Sequence, residues 1–394
     1  MTKDFRWLYG ADAGAKLGVS VSSLAVPLTG VAVLAASPLE TGVLGMLNTC
    51  AFLVIGLPAG AWVDRLRKRP LMVTADLVRA ASLVSVPVAQ ACGVLTLGQL
   101  YVVVLVTGIA TVFGDVAAMS FLPALVGKER LTRATSALVS LDGVNQVAGR
   151  SLGGFLVAVV SAPMALGVTA ASYLWSAFCL ARIRFAEPAP SRGPRTSLRH
   201  EIGEGLRLVF GHPHLRLIAF EGSLGNCASM MVQVMLPIVF VARFGQPELV
   251  LGLFLAAGGA GYLLGSAVAP RLGCRLGERR AIWWSSAVAP CALLLPLVDE
   301  SVWVAGAAWA LTMSKSGAGN VLKVSYRTRV TPEHLLGRMT ATMRFLFTGA
   351  LAVGAGLGGV LGQLAGVDAT LWAAAAILSS AWLLLGPVRE SGRL

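Results

Sequence analysis

The sequence predicts an all-α integral membrane protein with twelve transmembrane helices in two similar six-helix halves. Three observations carry this: a composition too apolar for a soluble chain, a regular succession of membrane-length apolar runs, and a repeat relating the second half of the chain to the first. Hydrophobic residues fill 56% of the 394 positions and charged residues only 13%, with a mean hydropathy of +0.75. Soluble domains do not reach such values. A hydrocarbon core about 30 Å thick needs roughly 20 helical residues per crossing, so the length fits about a dozen crossings and no separate soluble domain.

Apolar runs between charged or Pro/Gly breaks place the spans at 8–36, 40–63, 71–92, 98–122, 134–160, 163–181, 216–242, 248–270, 281–298, 301–324, 337–365 and 367–386. The first follows Lys3 and Arg6 and ends at Ala35-Ala36-Ser37, as a signal peptide would. Its length and its internal Asp12 and Lys16 predict a retained helix instead. Span 2 ends at Asp64 and a knot of cations, Arg65, Arg67, Lys68 and Arg69, before span 3 begins. Spans 3 and 4 carry Asp76, Arg79 and Asp115, and span 5 carries Asp142, Asn145, Gln146 and Gly149-Arg150-Ser-Leu-Gly153-Gly154.

Residues 183–215, rich in Pro, Gly and Arg, then separate an N-terminal half, 1–182, from a C-terminal half, 216–394. Within this linker Leu198, Ile202, Leu206 and Val209 share one helical face, which predicts an amphipathic helix lying along the cytoplasmic membrane surface. In the second half, span 7 carries Glu221, Asn226, Met230, Met231, Gln233 and Met235, span 10 carries Lys315, and span 11 carries Arg344.

The halves repeat. Gly56, Gly60 and the basic loop beyond them recur as Gly261, Gly265 and Arg271 to Arg280, and Val126, Glu129, Leu131, Ala137 and Gly154 recur as Val330, Glu333, Leu335, Ala341 and Gly358. Two separate segments with nearly the same spacing imply a duplicated six-span unit.

Charge fixes the expected orientation. Of the 32 Lys and Arg, 26 fall at the termini and in the loops on one side, and Arg243 is the loop cation on the other. Short basic loops stay in the cytoplasm, so a multi-pass plasma-membrane protein (inner membrane, in a two-membrane cell) with both termini inside is expected. The net charge of +13 is then a topology signal, and no nucleic-acid partner is expected. The six cysteines are scattered singly, with no metal or disulfide framework in view. No glycine run is followed by the Lys-Ser/Thr of a phosphate loop, and no nucleophile, base and oxyanion set is clustered, so neither a cofactor nor an enzyme is expected.

Gly60-Ala-Trp-Val-Asp64-Arg65-Leu-Arg67-Lys68-Arg69 between spans 2 and 3, with twelve spans in two halves, resembles the major facilitator superfamily and its loop signature. GLPAGAWVDRLRKRPLMVTADLVRA, SFLPALVGKERL and HLLGRMTATMRF resemble in particular the drug:proton antiporter branch that includes macrolide-efflux and siderophore exporters. Two positions depart from the pattern: Arg67 replaces the second loop glycine, and Val104 replaces an arginine four residues before Gly108 in span 4. The proton role of that arginine in relatives therefore does not carry over.

The resemblance implies that Asp64 meets span 11 of the opposite half, so that the knot latches the cytoplasmic side shut; Arg67, Lys68 and Arg69 alternatively only hold topology. It also implies that helices 1, 4, 7 and 10 line the cavity, which singles out Asp12, Lys16, Asp115, Glu221 and Lys315. Asp12, Asp76, Arg79, Asp115, Asp142, Glu221, Lys315 and Arg344 sit in the cytoplasmic third to half of their spans, where buried charge marks function or a partner and suggests an inner gate with Gly60, Asp64, Arg65, Lys68 and Arg69. Asp76 and Arg79, three apart, read as an ion pair within one helix, and Asp12 and Lys16, four apart, can neutralise each other. Arg150, near midplane, needs an anion: Asp142, Asp115 or part of a substrate. Gly149 to Gly154 resembles the antiporter motif of span 5, with Arg150 where proline is usual, and its glycines suit close helix packing.

Asn145, Gln146, Asn226, Met230 and Gln233 suggest an apolar, soft pocket for an amphiphilic or lipophilic small molecule rather than a strongly charged nutrient. Proton coupling is placed on Asp115 first, with Glu221 and Asp12 behind it. The expected activity is export of a drug, antibiotic or siderophore-like compound by proton antiport and alternating access, by a monomer whose partners are its substrate, protons and membrane lipid. An uptake symporter or facilitator, or a receptor or scaffold that transports nothing, stands as the alternative.

Overall fold

The computed structural model describes residues 3–63, 65–145, 149–185, 187, 198–243, 248–299, 301–332, 335–381 and 383. Asp64 and Gln146 lie outside them, as do the surroundings of Gly60 and the side chain of Arg150. All regular structure among the described residues is helical.

The first six spans appear as α1 (Lys3–Leu28), α2 (Pro38–Val63), α3 (Lys68–Ala91), α4 (Leu97–Val126), a fifth span in two pieces, α5 (Lys128–Val144) and α6 (Arg150–Val160), and α7 (Ala162–Arg182). A connecting helix, α8 (Leu198–Gly211), precedes α9 (Pro213–Pro237), α10 (Glu248–Leu276), α11 (Glu278–Ser285), α12 (Val302–Val330), α13 (Leu336–Leu364) and α14 (Val367–Ser380). The ninth span is only briefly α-helical: beyond α11 it tightens into a 3₁₀ stretch, Ser286–Asp299, which holds Pro290 and Pro296. Proline removes the donor and crowds the preceding turn, so neither position supports regular α-helix.

Eight helical stretches among the described residues are long and apolar enough to cross a membrane. Of the other four, span 5 is described as two shorter helices, span 9 passes into 3₁₀ geometry, span 10 is the 29-residue but less apolar α12, and span 12 is described only in part. Spans 1 and 7 finish alike. Near Pro27, α1 widens into a π-helical turn at Thr29–Val33, and after Pro237, α9 does the same at Ile238–Arg243. A proline that removes an i→i−4 bond makes such widening cheap.

The chain packs as two compact units, Met1–Pro194 with Leu236–Leu253, and Arg195–Met235 with Phe254–Leu394. In the first, α7 packs along both α1 and α3, and α4 packs on both α2 and α3. In the second, α10 meets α12 backbone to backbone: a Cβ at Gly261 or Gly265 would run into the main chain of Ala310 or Ser314, and one at Gly317 into that of Tyr262. Small residues four apart allow this approach where no hydrophobic force joins helices in lipid. Gly354 and Gly358 of α13 likewise face the backbone of Cys227 and Met231 in α9.

Gly265→Val is therefore expected to force α10 off α12, at a cost of at least about 1–3 kcal/mol. Gly98→Ala, where an added Cβ meets nothing within 4 Å, is expected to be neutral. Thermal unfolding of the two variants in detergent checks this, and equal stability would contradict the contact.

The amphipathic helix differs from expectation. Instead of resting its whole apolar face on lipid, α8 docks on α13: Val209 is fully buried with Leu215, Ala219, Met339 and Met343, and Glu204 pairs with Arg338. Gly205 lies against the Arg338 backbone, which brings the helices close enough for that pair. Leu206 and Phe210 remain exposed, so part of the face still looks outward.

Candidate functional site

The basic knot is tied to its own half. Arg69 donates from Nε to the Leu180 carbonyl at 3.0 Å and from Nη2 to the Ala181 carbonyl, capping the C-terminus of α7, where unpaired carbonyls and the helix dipole favour a cation. Reciprocally, the Glu187 carboxylate accepts from the backbone N–H groups of Lys68 at 2.7 Å and Arg69 at 3.3 Å, the first turn of α3. Asp4 of α1 accepts from the Arg184 amide at 3.2 Å. The N-terminal ends of α1 and α3 and the C-terminal end of α7 are thus clamped together, and this gives Arg69 a structural role. Arg65 is exposed and Lys68 half-buried.

Two further clusters of charge lie within the first unit. Asp76 and Arg79 of α3, each about 5% exposed, pair at 3.2 Å. Arg79 also donates to the Ala110 carbonyl of α4 and stacks 5.1 Å from the buried Tyr173 ring of α7. Gly114 of α4 opens the space its guanidinium occupies. Paired on one side, hydrogen-bonded on another and stacked on a third, this buried charge joins three helices, with the Arg79 Nε left without a hydrogen-bond partner among the described residues.

The second cluster holds Lys16 of α1 between Asp12, at 2.6 Å on its own helix, and Asp142 of α5, at 2.8 Å. Asn145 fastens the same two spans, because its amide nitrogen donates to the Lys16 carbonyl at 2.7 Å and to Ser20 Oγ at 2.8 Å. Both donors of Asn145 are engaged in this way, so the residue is a tether between helices rather than the cavity amide its type suggested. Asp142 takes Lys16 as a partner. Asp115 is exposed on α4, and Arg344 is half-buried on α13.

In the second unit Glu221 of α9, whose side chain is 3% exposed, lies between two lysines of α12: Lys315 at 3.4 Å and Lys323, on the other carboxylate oxygen. Both belong to the wall of a cavity of about 180 Å³ that also takes in Asn226, Tyr262, Asn320, Arg327 and Phe347. Asn320 donates to the Tyr262 hydroxyl at 2.9 Å, and Arg327 stacks over Phe347 with its carbon 5.7 Å from the ring centre. The cavity carries three cations and one acid on a lining that is otherwise largely apolar.

Of the residues expected to make a soft pocket, only Asn226 lines this cavity. Met231 and Met235 are core residues, 1% and 0% exposed, and Met230 is half-buried. Gln233 turns its amide back on the Ser229 carbonyl of its own helix.

Lys323 and Arg327 were the residues missed, counted among the cations of the loop between spans 10 and 11. Helix α12 runs on to Val330 and carries them inward. Their signal lay in the spacing of Thr312, Ser316, Asn320, Lys323 and Arg327, steps of four, four, three and four that keep one helical face polar.

A family model described as a transmembrane secretion effector matches residues 1–390. The multidrug efflux pump Tap of Mycolicibacterium fortuitum is 30% identical over 370 residues, which cover 89% of this chain and 87% of that protein. Macrolide efflux protein A of Streptococcus pyogenes is 23% identical over 229 residues, 57% of this chain and 56% of that one. Among solved structures, the nucleoside transporter NupG superposes with a TM-score of 0.77 over 98% of this chain and 100% of its own, at 11% identity, a likeness of fold alone. The twelve-span, two-half helical architecture is that of the major facilitator superfamily, and with a family match over nearly its whole length the chain belongs to the superfamily's transmembrane secretion effectors, which are multi-pass membrane transporters.

Proposed function

We propose that this protein is a secondary active exporter that moves an amphiphilic small molecule out of the cytoplasm in exchange for protons, by alternating access between its two halves. The observation that carries the reading is the cluster of Asp12, Lys16 and Asp142, in which two carboxylates share one ammonium at 2.6 and 2.8 Å. Fully ionised, that group holds one net negative charge within membrane-spanning helices, with Asp12 and Lys16 partly buried and Asp142 about half exposed, so its second carboxylate stays open to protonation from outside the cluster. One proton makes it neutral. The cluster therefore has two states that differ by one proton, and solvation from one side or the other decides between them. Asp115, on span 4, is a further acid in the same unit and belongs to the same proposal.

The direction of transport is supported by the relatives, which are named as efflux pumps. The position of the basic loops supports termini in the cytoplasm and a plasma-membrane location. Transport into inside-out vesicles, screened across dyes, antibiotics and siderophores with and without an imposed pH gradient, tests the reading. Accumulation that collapses with the gradient is expected. Accumulation indifferent to the gradient would make the protein a facilitator, and binding without flux would make it a receptor.

A further inference from the structure

The cavity between α9 and α12 has an excess of positive charge that nothing in its walls answers. Among the described residues lining it, Lys315, Lys323 and Arg327 face one acid, Glu221. Glu221 is held by both lysines, on one oxygen each, and each ammonium has three donors of which that contact uses one. Arg327 Nε is buried and makes no hydrogen bond among the described residues. A buried guanidinium N–H without a partner is costly, and whereas Arg79, whose Nε is also unpartnered, is neutralised by Asp76, Arg327 shares a cavity with two lysines and one acid, which points to an anionic ligand.

Geometry narrows the ligand. Lys323 and Arg327 are one turn apart on α12 and so project from one face. The Arg327 guanidinium carbon lies over Phe347, 5.7 Å from the ring centre, and its planar fork matches a carboxylate. The neighbouring Asn320–Tyr262 pair supplies further polar contact, and Ile218, Phe347 and Leu378 supply an apolar lip. A volume of about 180 Å³ is smaller than the roughly 300–1,000 Å³ of a site enclosing a whole drug-sized molecule. The cavity therefore holds one end of its ligand.

We propose that Lys315, Lys323 and Arg327 form an anchor for an anionic group, so that the transported molecule is an amphiphilic organic acid or a zwitterion that enters this half carboxylate first. The inference rests on the exporter reading above and specifies its substrate class. The same chemistry would suit the phosphate of an anionic lipid headgroup, which the test separates.

Binding of 1-pyrenebutyrate and of its neutral amide to the purified full-length protein in phosphatidylcholine nanodiscs isolates the charge, because the two probes share one apolar body. The acid is expected to bind at least roughly tenfold more tightly than the amide. Arg327→Gln is expected to remove most of that preference while leaving amide binding unchanged, which also shows the variant to be folded, and Arg327→Lys is expected to keep part of it. Failure of the acid to bind, equal binding of acid and amide, or equal loss of both in Arg327→Gln would overturn the anchor. Loss of acid binding in phosphatidylglycerol nanodiscs would assign the site to lipid and overturn the substrate assignment. If the acid binds as expected but does not accumulate in inside-out vesicles, the anchor stands and the exporter reading fails.

Discussion

Glu221→Gln is expected to destabilise the second unit by about 3–5 kcal/mol, because it removes the one negative charge from a site that holds two ammonium groups. The glutamine keeps the shape of the side chain, so packing of α9 hardly changes. What remains is Lys315, 8% exposed, and Lys323, 15% exposed, facing each other with no carboxylate between them. The reverse change is expected to be mild. Lys323→Gln leaves Glu221 and Lys315 as a neutral pair, and a buried pair loses less than a buried lone charge. Thermal unfolding of the two variants in detergent makes the comparison. Equal stability of Glu221→Gln and the wild type would mean that the lysines reach water and that the cluster is not the buried site described.

Asp142→Asn is expected to uncouple transport without unfolding the protein. It leaves Lys16 with Asp12 at 2.6 Å, a neutral pair, and removes the second carboxylate on which the proposed exchange depends. For a zwitterionic substrate of no net charge, an exchange of one proton per molecule down a gradient of one pH unit supports about tenfold accumulation. In Asp142→Asn that ratio is expected to fall to about one, with substrate binding and downhill exchange retained. Asp115→Asn serves as the parallel measurement on α4. Gradient-driven accumulation that survives in Asp142→Asn but is lost in Asp115→Asn would move the proton site to Asp115.

Hydropathy located the spans because lipid demands unbroken apolar length. The run at 71–92 became α3 at Lys68–Ala91, and the run at 337–365 became α13 at Leu336–Leu364. Hydropathy does not distinguish α from 3₁₀ geometry, so the ninth span was legible as a crossing and its Ser286–Asp299 stretch was not. The π-helical geometry at Asn145 and Gly149, between α5 and α6, was invisible for the same reason.

Charge was legible where it was local. Asp12 with Lys16 and Asp76 with Arg79 follow from helical spacing alone, but Asp142 joins Lys16 from another helix, and Glu221 meets Lys315 and Lys323 across the interface between α9 and α12. Lys323 and Arg327 were obscured by a sound rule misapplied: cations near span ends usually mark the cytoplasmic side, and only the polar stripe from Thr312 to Arg327 showed that these two point into the protein. Asn145 and Gln233 looked like cavity amides because residue type says nothing of what a side chain has already bonded.

The central claim is that substrate leaves as protons enter, and proton counterflow measures it directly. Proteoliposomes of the purified protein, loaded with a pH-sensitive dye and given a fixed pH gradient, receive a substrate found in the vesicle screen. The account predicts that adding substrate dissipates the gradient at a rate set by substrate concentration, and that Asp142→Asn abolishes this. A gradient that decays only at the rate of passive leak, while substrate crosses the membrane, would contradict it.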